Sequence, residues 1–206
     1  MFLAEYTRPF SADFWAALVS PSRGFSVMGA FGGVSAGLWW LARRSGVPFL
    51  RLLDYVCAAA PLWHAFGRLG CFMAGCCFGR PSTLPWAVTF RDPRSLVDTA
   101  LVGVPLHPTQ LYEALGDLVI AGVLMRWVLP EVERGRRPVG TVAAAYFLAY
   151  GVLRFATEFW RGDVLAIPGV GLTAAQGMSA LLAAAAIGIY LYIGRRHAAE
   201  TLCIQR

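Results

Sequence analysis

Charge is what this chain has least of. Only 15% of its 206 residues are charged, against 57% hydrophobic, and the mean hydropathy is +0.56; a soluble domain usually carries about 25% charged residues. Several apolar segments are long enough to cross a bilayer, which disfavours an apolar soluble enzyme. Lysine is missing: all 18 basic residues are arginine, and the formal net charge is +6. These arginines sit between apolar runs rather than on one helix face or tail. That argues against a nucleic-acid partner and for orientation in a membrane with anionic lipid contact. Five cysteines in so large and apolar a chain do not suggest a secreted disulfide scaffold. From Met1 to Gly24 no basic start leads into an apolar core, and Glu5, Arg8 and Asp13 interrupt the stretch, unlike a signal peptide. An internal repeat of the kind transporters often have is also missing.

What is present reads as an all-α integral membrane protein of about five transmembrane helices with an outward-facing polar cap. Residues 1–24 form an interfacial segment, 25–194 the transmembrane domain and 195–206 a cytoplasmic tail. The spans fall at Phe25–Leu41, Phe49–Phe66, Thr109–Val128, Val139–Trp160 and Gly171–Ile193. Gly29, Gly33 and Gly37 make one stripe on the first and suit close helix contact. Asp54, one turn after Arg51, is expected to pair with it at headgroup level. Pro85–Phe90 has the pattern of a short strand. Arg43–Arg44, the arginines at 134, 136 and 137, and Arg195–Arg196 all fall on one side by the count of crossings. The positive-inside rule makes that side cytoplasmic, with the N-terminus and the cap outside.

The cap runs from Gly67 to Glu113, and Arg68, Arg80, Arg91, Arg94 and Arg161 remain on the outer side although topology does not require them. On the fourth span Tyr146, Tyr150, Arg154 and Glu158 recur every four residues and share one face. Arg154 lies about 9 Å inside that helix at 1.5 Å per residue, a depth at which charge faces a polar cavity or a partner. A local Arg154–Glu158 ion pair is the simpler reading. The outer ends of the second and third spans bring Arg68 and Glu113 to the same level. Together these groups suit a phosphate-bearing lipid headgroup. Asp117, one turn deeper than Glu113, is expected to be buried with an arginine, and His64 to be packed. His107 either caps the third span or meets a headgroup. The spacing of Cys71, Cys76 and Cys77 is not a zinc pattern, so no metal is expected. A disulfide among them, a thiol acting in group transfer, and packing in a glycine-rich turn are all open, and Cys76 with Cys77 would bond poorly.

Three blocks resemble the signature of the prolipoprotein diacylglyceryl transferases: Gly67-Arg68-Leu69-Gly70-Cys71-Phe72-Met73-Ala74-Gly75 with Gly79-Arg80, His107-Pro108-Thr109-Gln110-Leu111-Tyr112-Glu113, and Tyr150-Gly151-Val152-Leu153-Arg154-Phe155 with Glu158. The start Phe25-Ser26-Val27-Met28-Gly29 is similar but weaker. The likeness covers roughly Phe25 to Tyr192, without one N-terminal helix of the usual seven. It implies an enzyme of the bacterial inner membrane. That enzyme moves diacylglycerol from phosphatidylglycerol to a cysteine thiol in a prolipoprotein signal peptide, with no cofactor. Its catalytic residues would be Arg68, Tyr150, Arg154 and Glu158, the arginines on the phosphate. Gly75, Cys76, Gly79, His107, Gln110 and Glu113 would bind substrate. Met28 stands where the family has histidine, Cys71 where asparagine is usual and Cys76 where glutamate is. Either Cys76 or His107 substitutes for the lost groups, or the chain is a non-catalytic or altered-acceptor lipid- or thiol-binding relative.

Overall fold

A computed structural model describes residues 27–163 and 171–204, so the expected interfacial segment at 1–24 lies outside the described residues. The chain divides into two compact units, Met1–Leu52 and Leu53–Arg206. In the first, helix α1 (Val27–Ser45) carries the three-glycine stripe and has Arg43 and Arg44 in its last turn. Cations there complement the negative end of the helix dipole. Each guanidinium also lies over a ring four residues back, Arg43 at 4.9 Å from Trp39 and Arg44 at 5.4 Å from Trp40.

The second unit takes most of helix α2 (Phe49–Ala74). The sequence reading ends this helix near Phe66. In fact it continues through Gly67, Arg68, Gly70 and Cys71, and the first motif block starts on a helix rather than in a loop. A polar segment follows, in which β1 (Val88–Thr89) pairs antiparallel with β2 (Pro105–Leu106). Only two residues of the expected Pro85–Phe90 strand are in the ladder. Phe78, Val97 and Leu106 form a small core beneath it.

Helix α3 (Thr109–Val123) passes through a π turn, Leu124–Val128, into the short helix α4 (Leu129–Glu133). Pro130 explains the turn. A proline ring crowds the carbonyl four residues back and supplies no N–H, and one wide turn relieves both problems. Helix α5 (Thr141–Thr157) ends in a 3₁₀ turn, Glu158–Trp160, and α6 (Ala174–Ile204) packs along it. Thr173 and Gln176 form a capping box on α6: the Gln176 N–H donates to Thr173 Oγ1 at 3.2 Å and the Thr173 N–H to Gln176 Oε1 at 3.0 Å.

Asp54, expected to pair with Arg51 at headgroup level, meets the N-terminus of a helix instead of lying at an exposed surface. It is buried and accepts from the backbone N–H groups of Gly140 at 2.6 Å and Ala143 at 2.9 Å. The N-terminus of α5 leaves these donors unsatisfied, and a carboxylate also meets the positive end of the dipole there. Around this contact Cys57, Ala58, Leu124, Val142, Ala143 and Tyr146 make the main apolar core.

The described chain is mostly helical. Among the described residues two stretches are long and apolar enough to cross a membrane, Thr141–Trp160 and Ala175–Arg195. Large apolar side chains face outward on several helices, among them Trp63, Phe66, Leu115, Val119, Val152 and Leu181. Water would penalise this surface, whereas acyl chains match it.

Candidate active site

The three motif blocks meet through their backbones. Gly79 N–H donates to the His107 carbonyl at 3.0 Å, and His107 N–H returns a bond to Arg80 at 3.0 Å. Arg80 N–H donates to the Trp160 carbonyl at 2.8 Å, and Gly162 N–H to Phe78 at 3.0 Å. A Cβ at position 79 would come within 2.5 Å of the His107 carbonyl oxygen and 2.8 Å of that of Trp160. Only glycine allows the three segments to close this tightly. Below the junction α3 and α5 approach at Gly116, where a Cβ would meet Leu153 at 2.5 Å. That approach brings Glu113 to Arg154.

Glu113 is the centre of the resulting cluster. It is 2% exposed, ion-paired to Arg68 at 2.5 Å through one oxygen and to Arg154 at 3.5 Å through the other. The second oxygen also accepts from Thr157 Oγ1 at 3.2 Å and lies 3.9 Å from Arg161. Glu158 accepts from Arg154 at 2.6 Å and from the Thr173 hydroxyl at 2.5 Å. Arg161 forks onto Asp163 at 2.7 and 3.0 Å. Burial works against the Arg161 charge, but Asp163, Cys77 and Glu113 outweigh it and hold its pKa above the ordinary arginine value. Arg68, Arg154 and Arg161 therefore face Glu113, Glu158 and Asp163, three cations against three carboxylates. An anion entering this cluster exchanges with a carboxylate rather than meeting bare positive charge.

One turn below Glu113, Asp117 is fully buried, and neither of its oxygens has a hydrogen-bond partner among the described residues. On α5, Tyr150 stacks on Tyr146 at 5.7 Å and lies 4.7 Å from the His64 ring, whose Nδ1 is 3.3 Å from Tyr146 Oη. The second block splits in two. Gln110 donates to the Cys76 carbonyl at 2.7 Å and Thr109 to that of Cys77 at 2.8 Å, both from buried side chains. His107 instead contacts the Tyr112 hydroxyl at 3.2 Å and lines an open cleft of about 680 Å³ with Pro81, Leu84 and Pro105. It does not cap α3, where Pro108 occupies the cap position without a side-chain bond.

The sequence model of the prolipoprotein diacylglyceryl transferase family matches residues 1–192. This chain belongs to that family. Among its relatives are proteins named phosphatidylglycerol–prolipoprotein diacylglyceryl transferase. The Polynucleobacter asymbioticus protein is 34% identical over 178 residues, covering 86% of this chain and 63% of the relative. That of Aromatoleum aromaticum is 36% identical over 171 residues, 81% of this chain and 60% of the relative. That of Clostridium tetani is 36% identical over 140 residues, 68% and 53%. The chain thus spans about three-fifths of the length of the curated relatives it matches.

For a diacylglyceryl transferase family member, the residues named from sequence fall into two groups. Arg68, Glu113, Arg154 and Glu158 come together in one ion cluster, with Tyr150 on the same helix. Gly79 and Gln110 hold backbone, Gly75 and Cys76 lie on the turn that Gln110 secures, and His107 stands apart on the cleft. Sequence reasoning missed Arg161, Thr157, Asp163 and Thr173 as members of the cluster. A signal existed for Thr173, since Thr-x-x-Gln ahead of an apolar run announces a helix start.

Proposed function

We propose that this chain is a diacylglyceryl transferase, using phosphatidylglycerol as donor and the cysteine thiol of a prolipoprotein signal peptide as acceptor. The observation that carries this reading is the convergence of the Arg68, Arg154 and Arg161 guanidiniums on Glu113 and Glu158. In the reaction the thiol sulfur forms a C–S bond to the glycerol carbon bearing the phosphate. The C–O bond to that phosphate breaks, its electron pair leaves with the oxygen as glycerol phosphate, and the thiol proton passes to a base. The leaving group gains charge as the bond breaks, so pre-placed guanidinium donors stabilise the transition state more than the ground state. Arg68 and Arg154 hold the phosphate, Tyr150 donates a hydrogen bond to it, and Glu158 orients Arg154. Gly75, Cys76, Gly79, His107, Gln110 and Glu113 shape the substrate site.

The same reading sets the chain in a bacterial inner membrane with five spans and a polar cap outward. The N-terminus is outside and the C-terminus inside, residues 1–24 lie in the interface, 25–194 form the transmembrane domain and 195–206 the cytoplasmic tail. The outward apolar belt and the arginine clusters support it. The deciding experiment is transfer of labelled phosphatidylglycerol to a signal-peptide cysteine by purified protein. Arg68→Ala and Arg154→Ala should each abolish transfer while the protein still inserts; turnover retained in both defeats the assignment. A lipid-binding relative without transfer is the second reading, favoured by the sulfurs at Cys71 and Cys76. Binding of phosphatidylglycerol without turnover selects it.

A further inference from the structure

The transferase reading uses Cys76 only as part of the lining of the substrate site and gives Cys71 and Cys77 no role. Cys71 lies near the end of α2 and Cys76 and Cys77 in the turn after it, and the three Sγ atoms all lie within 4.8 Å of one another. Each residue is half-buried, so an ion from solvent can reach the group. Cys57, in contrast, is buried in the apolar core.

Two features show that the turn is built to hold these sulfurs together. Cys77 has φ +59°, and among the described residues no other non-glycine residue has positive φ. A side chain in that region costs conformational energy, of order 1 kcal/mol or more, unless the surroundings impose it. The surroundings do impose it. The Cys76 N–H donates to the Cys71 carbonyl at 3.1 Å, the Leu96 N–H to Ala74 at 2.8 Å, and buried Gln110 and Thr109 fasten the carbonyls of Cys76 and Cys77. Glycine would fit the same backbone without strain, yet a thiol is found there.

We propose that Cys71, Cys76 and Cys77 form a three-sulfur site for a thiophilic divalent cation of the zinc type. The donor set is soft and suits zinc or its heavier congener cadmium. Zn–S bonds of about 2.3 Å put the sulfurs around a bound ion roughly 3.8–4 Å apart, so side-chain rotation closes the present spacing. Three thiolates around a divalent ion carry one net negative charge, and the Arg68 and Arg161 guanidiniums lie beside the sulfurs to balance it. Loading takes up one ion and releases three thiol protons to solvent. Three protein ligands leave a fourth position for water or an external thiol. The inference is independent of the transfer reaction, because metal content and thiol protection are read without lipid.

The test is a cadmium titration of the reduced full-length protein in detergent, followed by the ultraviolet sulfur-to-metal charge-transfer band. The band should saturate at one ion per chain, and equimolar Zn²⁺ should shield three thiols from alkylation. Cys77→Gly removes a sulfur while relaxing the backbone, and should weaken binding by roughly 100-fold or more; Cys57→Ser should leave it unchanged. A wild-type protein with no saturable band overturns the proposal. So does a band that survives Cys77→Gly, or a disulfide linking Cys71 to Cys76 or Cys77 in protein isolated without reductant.

Discussion

Two buried carboxylates, Asp54 and Glu113, are handled in opposite ways. Asp54, on α2, meets the start of α5 and accepts from the N–H groups of Gly140 and Ala143. Glu113, on α3, meets the end of α5, where it is ion-paired to Arg68 and Arg154 and accepts from the Thr157 hydroxyl. Backbone donors cannot leave without unfolding the helix. Guanidinium forks can turn to another oxyanion at modest cost, since the ion they abandon can be replaced by the ion they receive. The first carboxylate is thus a structural fastening and the second an exchangeable partner. Burial alone does not distinguish them; the kind of donor does.

Mutations can break that contrast. The largest effects should come from Arg68→Ala and Arg154→Ala, each abolishing transfer, a loss of at least about 10²–10³-fold, measured with labelled lipid on protein whose melting temperature is within a few degrees of wild type. Next comes Asp54→Ala, which strands two donors at the N-terminus of α5. It should cost about 2 kcal/mol of stability, seen as a lower melting temperature in detergent, while the folded fraction keeps its turnover. A matching loss of turnover per folded molecule would erase the distinction between the two carboxylates. Glu113→Gln should reduce transfer by roughly 10-fold, because the amide keeps the shape and loses the charge that gathers the arginines. The smallest effect belongs to the exposed pair Asp92–Arg94. The Arg94 side chain holds the Asp92 carboxyl below the ordinary carboxylate range. Such a pair contributes at neutral pH and loses its contribution as pH falls through the lowered pKa. Because both groups face water, Arg94→Ala should leave the pH dependence of melting unchanged within error.

The residues that carry the ion cluster were legible from helical spacing. Tyr146, Tyr150, Arg154 and Glu158 share a face on period alone, and the depth of Arg154 marked it as partnered. Sequence spacing points Asp54 toward Arg51, its neighbour along the chain, whereas two of its donors lie more than 80 residues away. Local ion pairs are visible along a chain, but a helix end arriving from elsewhere is not. The end of α2 is equally hard to place from sequence. Gly67 and Gly70 weaken a helix locally, yet it runs on to Ala74, whose carbonyl accepts from the Leu96 N–H. The sequence marks Arg161 only as surplus charge, since it follows a 3₁₀ turn that shifts the four-residue period. The proximity of the three sulfurs depends on a left-handed cysteine, which no spacing rule anticipates.

The backbone junction at Gly79 has a wider consequence. Amide-to-carbonyl bonds are indifferent to which side chains flank them, so this knot keeps its geometry while neighbouring positions are rewritten. Side chains at positions 71 and 76 lie outside that knot, so replacing them leaves the arginines delivered to the same place. The scaffold separates what must stay for anion handling from what is free to acquire new chemistry.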